Sequence, residues 1–212
     1  MSLRYALIAL LTAEPMTAYE VSKQFGASVA HVWHAPDSQI YPELRRMAEA
    51  GLVSVTRVPG GPGGGKKRYA VTETGRAALR EWMNTPAPTT NPRDPQYLRA
   101  AYLDWADPGS ARGFLRAHRD HHLAQAQLLE AVLASQLDGT HPTLVARFRH
   151  VPPEERARIV AIRAYAFQGL IDRARLEVAF AERGLALLDD LDGITPTSPG
   201  PRRPHPRGQS GP

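Results

Sequence analysis

Ser38-Gln39-Ile40-Tyr41-Pro42-Glu43-Leu44-Arg45-Arg46-Met47, followed by Gly51-Leu52-Val53, is the stretch whose reading decides the fold. A helix that begins at Asp37 or Ser38 and ends at Gly51 turns by about 100° per residue, so Ile40, Leu44 and Met47 share one side. Ser38, Pro42, Arg45 and Glu49 fall on the opposite stripe, flanked by Gln39, Tyr41 and Arg46. One face is core, and the other is polar with two arginines. Pro42 lies in or just after the first turn, where a missing amide donor costs least.

The flanking segments give this helix its setting. Leu3 to Ala13 is a short apolar helix closed by Glu14-Pro15, because proline steers the preceding residue away from helical angles. Thr17-Ala18-Tyr19-Glu20 has the pattern of a capping box and opens a helix that runs to Phe25 and stops at Gly26. A connection containing His31, Trp33, His34 and Pro36 leads to the decisive helix. Beyond it, Leu52 to Val58 alternates as a half-buried strand and Arg68 to Val71 is a second. The run from Pro59 to Lys67, mostly glycine, is the tip of the hairpin between them. Thr72 then caps a helix to about Asn84 anchored by Leu79 and Trp82. Helix, helix, helix, hairpin, helix is the order of a winged helix-turn-helix domain, assigned here to residues 1–86.

Residues 87–95 form a Pro-rich linker, and from 96 to 193 the pattern is all-helical. Leu98, Ala101, Tyr102 and Trp105 are spaced i, i+3, i+4, i+7, and a longer helix is expected from about Pro108 to Leu137. The last helix, roughly Glu154 to Leu191, carries Val160, Ala164, Phe167, Ile171, Ala174, Val178, Ala181, Leu185 and Leu188 at coiled-coil spacing. Such a seam, with Val160, Phe167, Ile171, Val178, Leu185 and Leu188 as its main contacts, packs either on a second chain, giving a homodimer, or on the preceding helix. The fold class is therefore mainly α: an N-terminal winged helix-turn-helix and a C-terminal helical dimerisation domain. Residues 194–212 are Pro, Gly, Ser and Arg without apolar pattern and read as a disordered basic tail.

Composition narrows the function. Of 212 residues, 42% are hydrophobic, enough for a real core, and the formal charge is +5. The basic excess sits in residues 1–86 and in the tail, so a polyanionic partner is plausible. The absence of cysteine excludes a disulfide scaffold, a thiol catalyst and any Cys-based zinc site. No apolar run reaches the roughly 18 residues needed to span a bilayer, and the N-terminus shows no leader cleavage pattern, so a cytoplasmic protein without a membrane segment is expected.

Gly60 to Lys66 satisfies the spacing of a phosphate-binding loop, but Lys67 stands where Ser or Thr must ligate magnesium, and a strand rather than a helix follows. As a wing the same run makes sense, since Lys66, Lys67 and Arg68 neutralise phosphate and two of the three lysines of the chain are here. His118, His121 and His122 lie at i, i+3, i+4 on one helix, a spacing two metal ligands can use. His121 falls in line with Phe114, Ala117, Ala124, Leu128 and Ala131 as an inward stripe, with His118 and His122 flanking it. No third ligand is identifiable, and neither a metal nor any other cofactor is assigned. No Ser-elbow, HExxH or dinucleotide motif is present, so no enzyme is expected.

Leu3-Arg4-Tyr5-Ala6-Leu7, Pro15-Met16-Thr17-Ala18-Tyr19-Glu20, the decisive helix with Gly51-Leu52-Val53, and Lys67-Arg68-Tyr69-Ala70-Val71-Thr72-Glu73-Thr74-Gly75-Arg76 together resemble the PadR family of bacterial winged-helix transcriptional regulators. The likeness covers residues 3 to 84 well, and the second half resembles longer members in length, helicity and position. It implies a homodimer held by C-terminal helices, usually a repressor, released in some members by small aromatic or drug-like effectors. The glycine-rich wing and the basic tail depart from the family pattern.

The resulting expectation is a dimeric, sequence-specific regulator of a double-stranded DNA operator. Ser38, Gln39, Tyr41, Arg45 and Arg46 would contact DNA, with Lys66, Lys67 and Arg68 on the backbone or minor groove. Tyr102, Trp105, His121, Tyr165 and Phe167 would wall a site for a planar effector, or fill the dimer core. An adaptor that uses the helical seam without DNA, or an enzyme built on the histidine helix, are the alternatives.

Overall fold

A computed structural model describes residues 2–26, 35–59, 65–87 and 94–193. The connection with His31, Trp33 and His34, the wing tip 60–64, most of the expected linker and the tail 194–212 lie outside the described residues.

The N-terminal unit is built from α1 (Ser2–Leu11), β1 (Met16–Thr17), α2 (Ala18–Gln24), α3 (Asp37–Glu49), β2 (Val53–Val58), β3 (Lys66–Val71) and α4 (Glu73–Asn84). The capping box forms as its residues dictate: the Glu20 amide donates to Thr17 Oγ1 at 3.3 Å and the Thr17 amide to Glu20 Oε2 at 2.7 Å. Thr17 also lies in β1, a strand the sequence reading missed because two residues are too few to show alternation. Through β1 the hairpin is a three-stranded antiparallel sheet of order β1-β3-β2, with Met16 opposite Tyr69 and Val55 opposite Tyr69 on the other edge.

The end of α3 is set by Gly51 at φ 69°, which lets the Leu52 amide reach Met47 O at 2.9 Å and the Gly51 amide reach Ala48 O at 3.1 Å. This closure aims the chain straight into β2. Pro42 falls just after the first turn of α3, and the carbonyl left without its amide belongs to Ser38, which is exposed to water. Leu7, Ile8, Leu11, Val21, Phe25, Ile40, Leu44 and Met47 form the core, covered by Met16, Val53 and Tyr69 of the sheet. Trp82 is only partly covered, its ring stacked on Tyr5 with centroids 4.8 Å apart.

The helical unit contains α5 (Pro95–Ala100), a single 3-10 turn (Leu103–Trp105), α6 (Pro108–Leu137), α7 (Pro142–Phe148) and α8 (Pro153–Gly193). The expected stripe Leu98, Ala101, Tyr102, Trp105 does not form, because α5 ends at Ala100 and the chain must reverse before Pro108 opens α6. Short α7, unassigned from sequence, buries Leu144.

The long seam on α8 packs within the chain. Phe167 and Ile171 are buried against Leu129 of α6, with Val132, Leu133 and Leu170 around them. Ile171 is 1% exposed, so it has no face left for a second chain. Val160, Val178, Leu185 and Leu188 are half-buried. Phe167 and Ile171 thus hold α8 to α6, the intramolecular packing that the seam spacing also allowed, and are closed to a second chain. Heptad spacing specifies a partner helix but not which chain supplies it. On α6 the inward stripe is also displaced from the expected one. Ala111, Leu115, Ala126 and Leu129 are buried, whereas Ala117, His121, Ala124, Leu128 and Ala131 are exposed. Alanine and leucine occur on both sides of α6, so periodicity alone selected the wrong one. Among the described residues no helix is long and apolar enough to cross a membrane.

Candidate nucleic-acid interface

The outer face of α3 presents Ser38, Gln39, Arg45 and Arg46 exposed, with Tyr41 half-buried. Beside it β3 displays Lys66 and Lys67, and a groove of about 420 Å³ between them is walled by Tyr19, Tyr41, Arg45, Lys66, Lys67 and Tyr69. The capped start of α2 forms its floor at Thr17 and Ala18. Three cations around a concave surface suit phosphate oxygen.

The two arginines of α3 differ. Arg46 Nη1 donates to Glu43 Oε2 at 2.6 Å, while Arg4 Nε of α1 donates to Glu43 Oε1 at 2.8 Å. Glu43 is buried and binds the two helices through both its oxygens. The sequence reading assigned it nothing, although its place three residues after Ile40 put it on the inward side. Arg45 makes no hydrogen bond or ion pair among the described residues, so its whole donor fork faces outward. Arg68 points away from the groove. Its Nη2 lies 3.9 Å from Glu20 Oε2, and its Nε is buried without a hydrogen-bond partner among the described residues. The amide of Thr17, donating to the Glu20 carboxylate, holds that carboxyl below its ordinary range, with Arg68 and Lys66 adding to the effect.

The expected effector residues do not converge. Tyr102 and Trp105, the latter 86% exposed, line a shallow depression of about 450 Å³ with Leu98 and Phe114. His121 opens into a neighbouring cleft of about 600 Å³ lined by Gln96, Arg99, Phe114, His118 and His122. Tyr165 is 83% exposed on α8, and Phe167 is in the α6–α8 core. It is His118, not His121, that faces inward: its Nε2 lies 3.1 Å from Glu177 Oε2 of α8. The Tyr97 hydroxyl of α5 donates to the same carboxylate at 3.3 Å, and burial followed by that negative charge pushes the phenol above its ordinary value. Burial holds the His122 imidazole below its usual value. A further cleft of about 440 Å³ lies between the two units, bounded by Leu11, Glu14, Val71, Arg76, Arg147 and His150. No sequence pattern could reveal it, since its walls come from segments far apart in the chain.

The model of the transcriptional regulator PadR-like family matches residues 7–81, the segment that builds the sheet, α3 and the groove. Over these residues the chain is similar to the PadR-like family. Over 192 residues it is 26% identical to the negative transcriptional regulator PadR of Bacillus subtilis (strain 168), covering 88% of this chain and 97% of that one. The crystal structure of Bacillus subtilis PadR in complex with operator DNA superposes with a TM-score of 0.68 at 21% identity, covering 89% of this chain and all of the other. That of Bacillus subtilis PadR in complex with p-coumaric acid gives 0.63 at 21% identity over 88% and 95%. At these identities the structural likeness establishes the fold: a PadR-like winged helix followed by a helical region.

Proposed function

We propose that this PadR-like chain is a DNA-binding transcriptional regulator, a repressor released by a small planar ligand. The observation that carries the reading is the cationic groove in which Arg45 of α3, without a polar partner among the described residues, lies beside Lys66 and Lys67 of the wing. The regulator name of the Bacillus subtilis relative, and that protein's structures with operator DNA and with p-coumaric acid, support it. In this reading α3 enters the major groove. Ser38, Gln39, Tyr41 and Arg45 meet base edges, and Lys66 and Lys67 hold phosphates. Arg46, committed in part to Glu43, orients the helix and reaches phosphate, while Arg68 supports the wing base through Glu20.

A winged helix of this kind reads two half-sites as a dimer. The second copy is assigned to the exposed apolar stripe of α8, where Ile162, Tyr165, Leu176, Leu187 and Leu191 share one side. The ligand is assigned to the Tyr102, Trp105 and Phe114 depression.

Selection of bound sequences from random duplex DNA, followed by gel-shift titration, tests the reading. Arg45→Ala weakens the selected site by about 1–3 kcal/mol and relaxes preference at one position, whereas Lys67→Ala weakens all sequences alike and lowers the salt dependence. An Arg45→Ala protein with unchanged affinity and unchanged selected sequence would overturn the assignment.

A further inference from the structure

His118 and His122 stand one turn apart on α6, with ring centroids 4.5 Å from each other, and Glu177 of α8 reaches His118 Nε2 at 3.1 Å. The donor atoms of these three residues all lie within 4.8 Å of one another. We propose that His118, His122 and Glu177 bind a divalent transition-metal ion of the Zn²⁺ class and thereby cross-link α6 to α8.

The donor set decides the class of ion. Two imidazole nitrogens and one carboxylate oxygen suit Zn²⁺, Co²⁺ or Ni²⁺, and leave Mg²⁺ and Ca²⁺ too few oxygens. Ligands about 2.1 Å from a tetrahedral ion are about 3.4 Å apart, so the His118–Glu177 separation already matches. Only the partly exposed His122 ring has to close in, by a side-chain rotation.

Groups outside the cluster orient the donors. His122 Nδ1 is 3.0 Å from Gln125 Oε1, a partner that favours the tautomer with its proton on Nδ1 and leaves Nε2 free to ligate. Tyr97 holds both oxygens of Glu177 at 3.3 Å. The side chains of His118 and Glu177 are 8% and 10% exposed, so these two donors are fixed by packing before any ion arrives. The fourth position faces the 600 Å³ cleft, where water or an anion from solution completes the coordination and lets the ion exchange. The sequence reading found the histidine spacing but no third ligand, because Glu177 comes 55 positions after His122 and only the pairing of α6 with α8 brings it there.

The site is independent of DNA binding and is tested on the full chain, stripped with chelator and titrated with Co²⁺ and with Zn²⁺. One ion binds per chain at micromolar or tighter dissociation constant, Co²⁺ develops the visible absorption of a tetrahedral site, and the melting temperature rises with free Zn²⁺. His122→Ala, which removes a half-exposed ring and keeps the helix, weakens binding at least about a hundredfold. Gln125→Ala weakens it by about tenfold without loss of helicity. His150→Ala, outside the cluster, changes nothing. Absence of a saturable Co²⁺ band, or equal affinity in His122→Ala, would overturn the proposal. Glu177→Gln adds a check where circular dichroism shows it folded, since a neutral amide ligates these ions poorly.

Discussion

At Gly75 a single hydrogen atom lets the two halves of the winged domain meet. A Cβ built there would lie 2.2 Å from Leu52 O and 2.9 Å from Val71 Cγ2, so any side chain forces α4 away from the α3–β2 junction. The same junction is held by Thr72, whose hydroxyl donates to Gly51 O at 2.7 Å and accepts from the Gly75 amide at 3.0 Å. Gly75→Ala therefore destabilises the domain by roughly 1–3 kcal/mol, read as a lower urea midpoint, although alanine is the better helix former in isolation. A variant as stable as the parent would mean that α4 does not pack this closely. The glycine was visible in the sequence, but its obligation was not, because the clash involves a carbonyl 23 positions earlier.

Among the elements, α2 was legible from four residues, whereas the thirty of α6 gave its bounds but not its buried side. The Thr17–Glu20 box is local chemistry, so it forms wherever the chain continues as a helix. Removing it by Thr17→Ala costs about 1 kcal/mol in thermal or urea unfolding. Its pH dependence follows from Glu20, whose folded pKa lies below the ordinary 4.5. The contribution is complete above that ordinary value and is lost as pH falls through the folded one. Stability curves of the parent and Glu20→Gln thus converge at acid pH and separate near neutrality. Parallel curves across that range would count against the cap.

For α6 and α8 the outcome rests on packing. Ile171→Ala opens a cavity beside Leu129 and costs about 2–5 kcal/mol. Because the lost contact is within the chain, the effect does not depend on protein concentration in denaturant titrations. A midpoint that shifts strongly with dilution for the parent but not for the variant would return the seam to a dimer interface.

Over the whole molecule, apolar surface left uncovered is the sign of what else binds. Ile162, Tyr165, Leu176, Leu187 and Leu191 are exposed along one side of α8, away from the residues that grip α6. Tyr165→Asp together with Leu176→Asp leaves helicity unchanged and converts the protein to a monomer in sedimentation, with loss of tight operator binding because two recognition helices are no longer fixed one turn of DNA apart. A double variant that sediments as a dimer moves the interface to another surface, with Leu123 and Leu128 of α6 the next exposed pair.

What the sequence determined by itself was the part of the protein governed by neighbours in the chain. Thr17 and Thr72 as caps, Gly51 as the end of α3, the inward row Ile40, Leu44 and Met47, and the polar row carrying Arg45 all follow from side-chain chemistry within a turn or two. The tertiary structure alone decided which of two apolar sides of α6 is core, that Phe167 and Ile171 of α8 close on their own chain, that Glu43 ties up Arg46 and Glu20 draws off Arg68, and that Glu177 joins the histidines. Spacing along one helix fixes which side chains share a face, but only the burial of that face against another element chooses its partner. Partners 39, 48 and 59 positions apart carry no periodic signal at all.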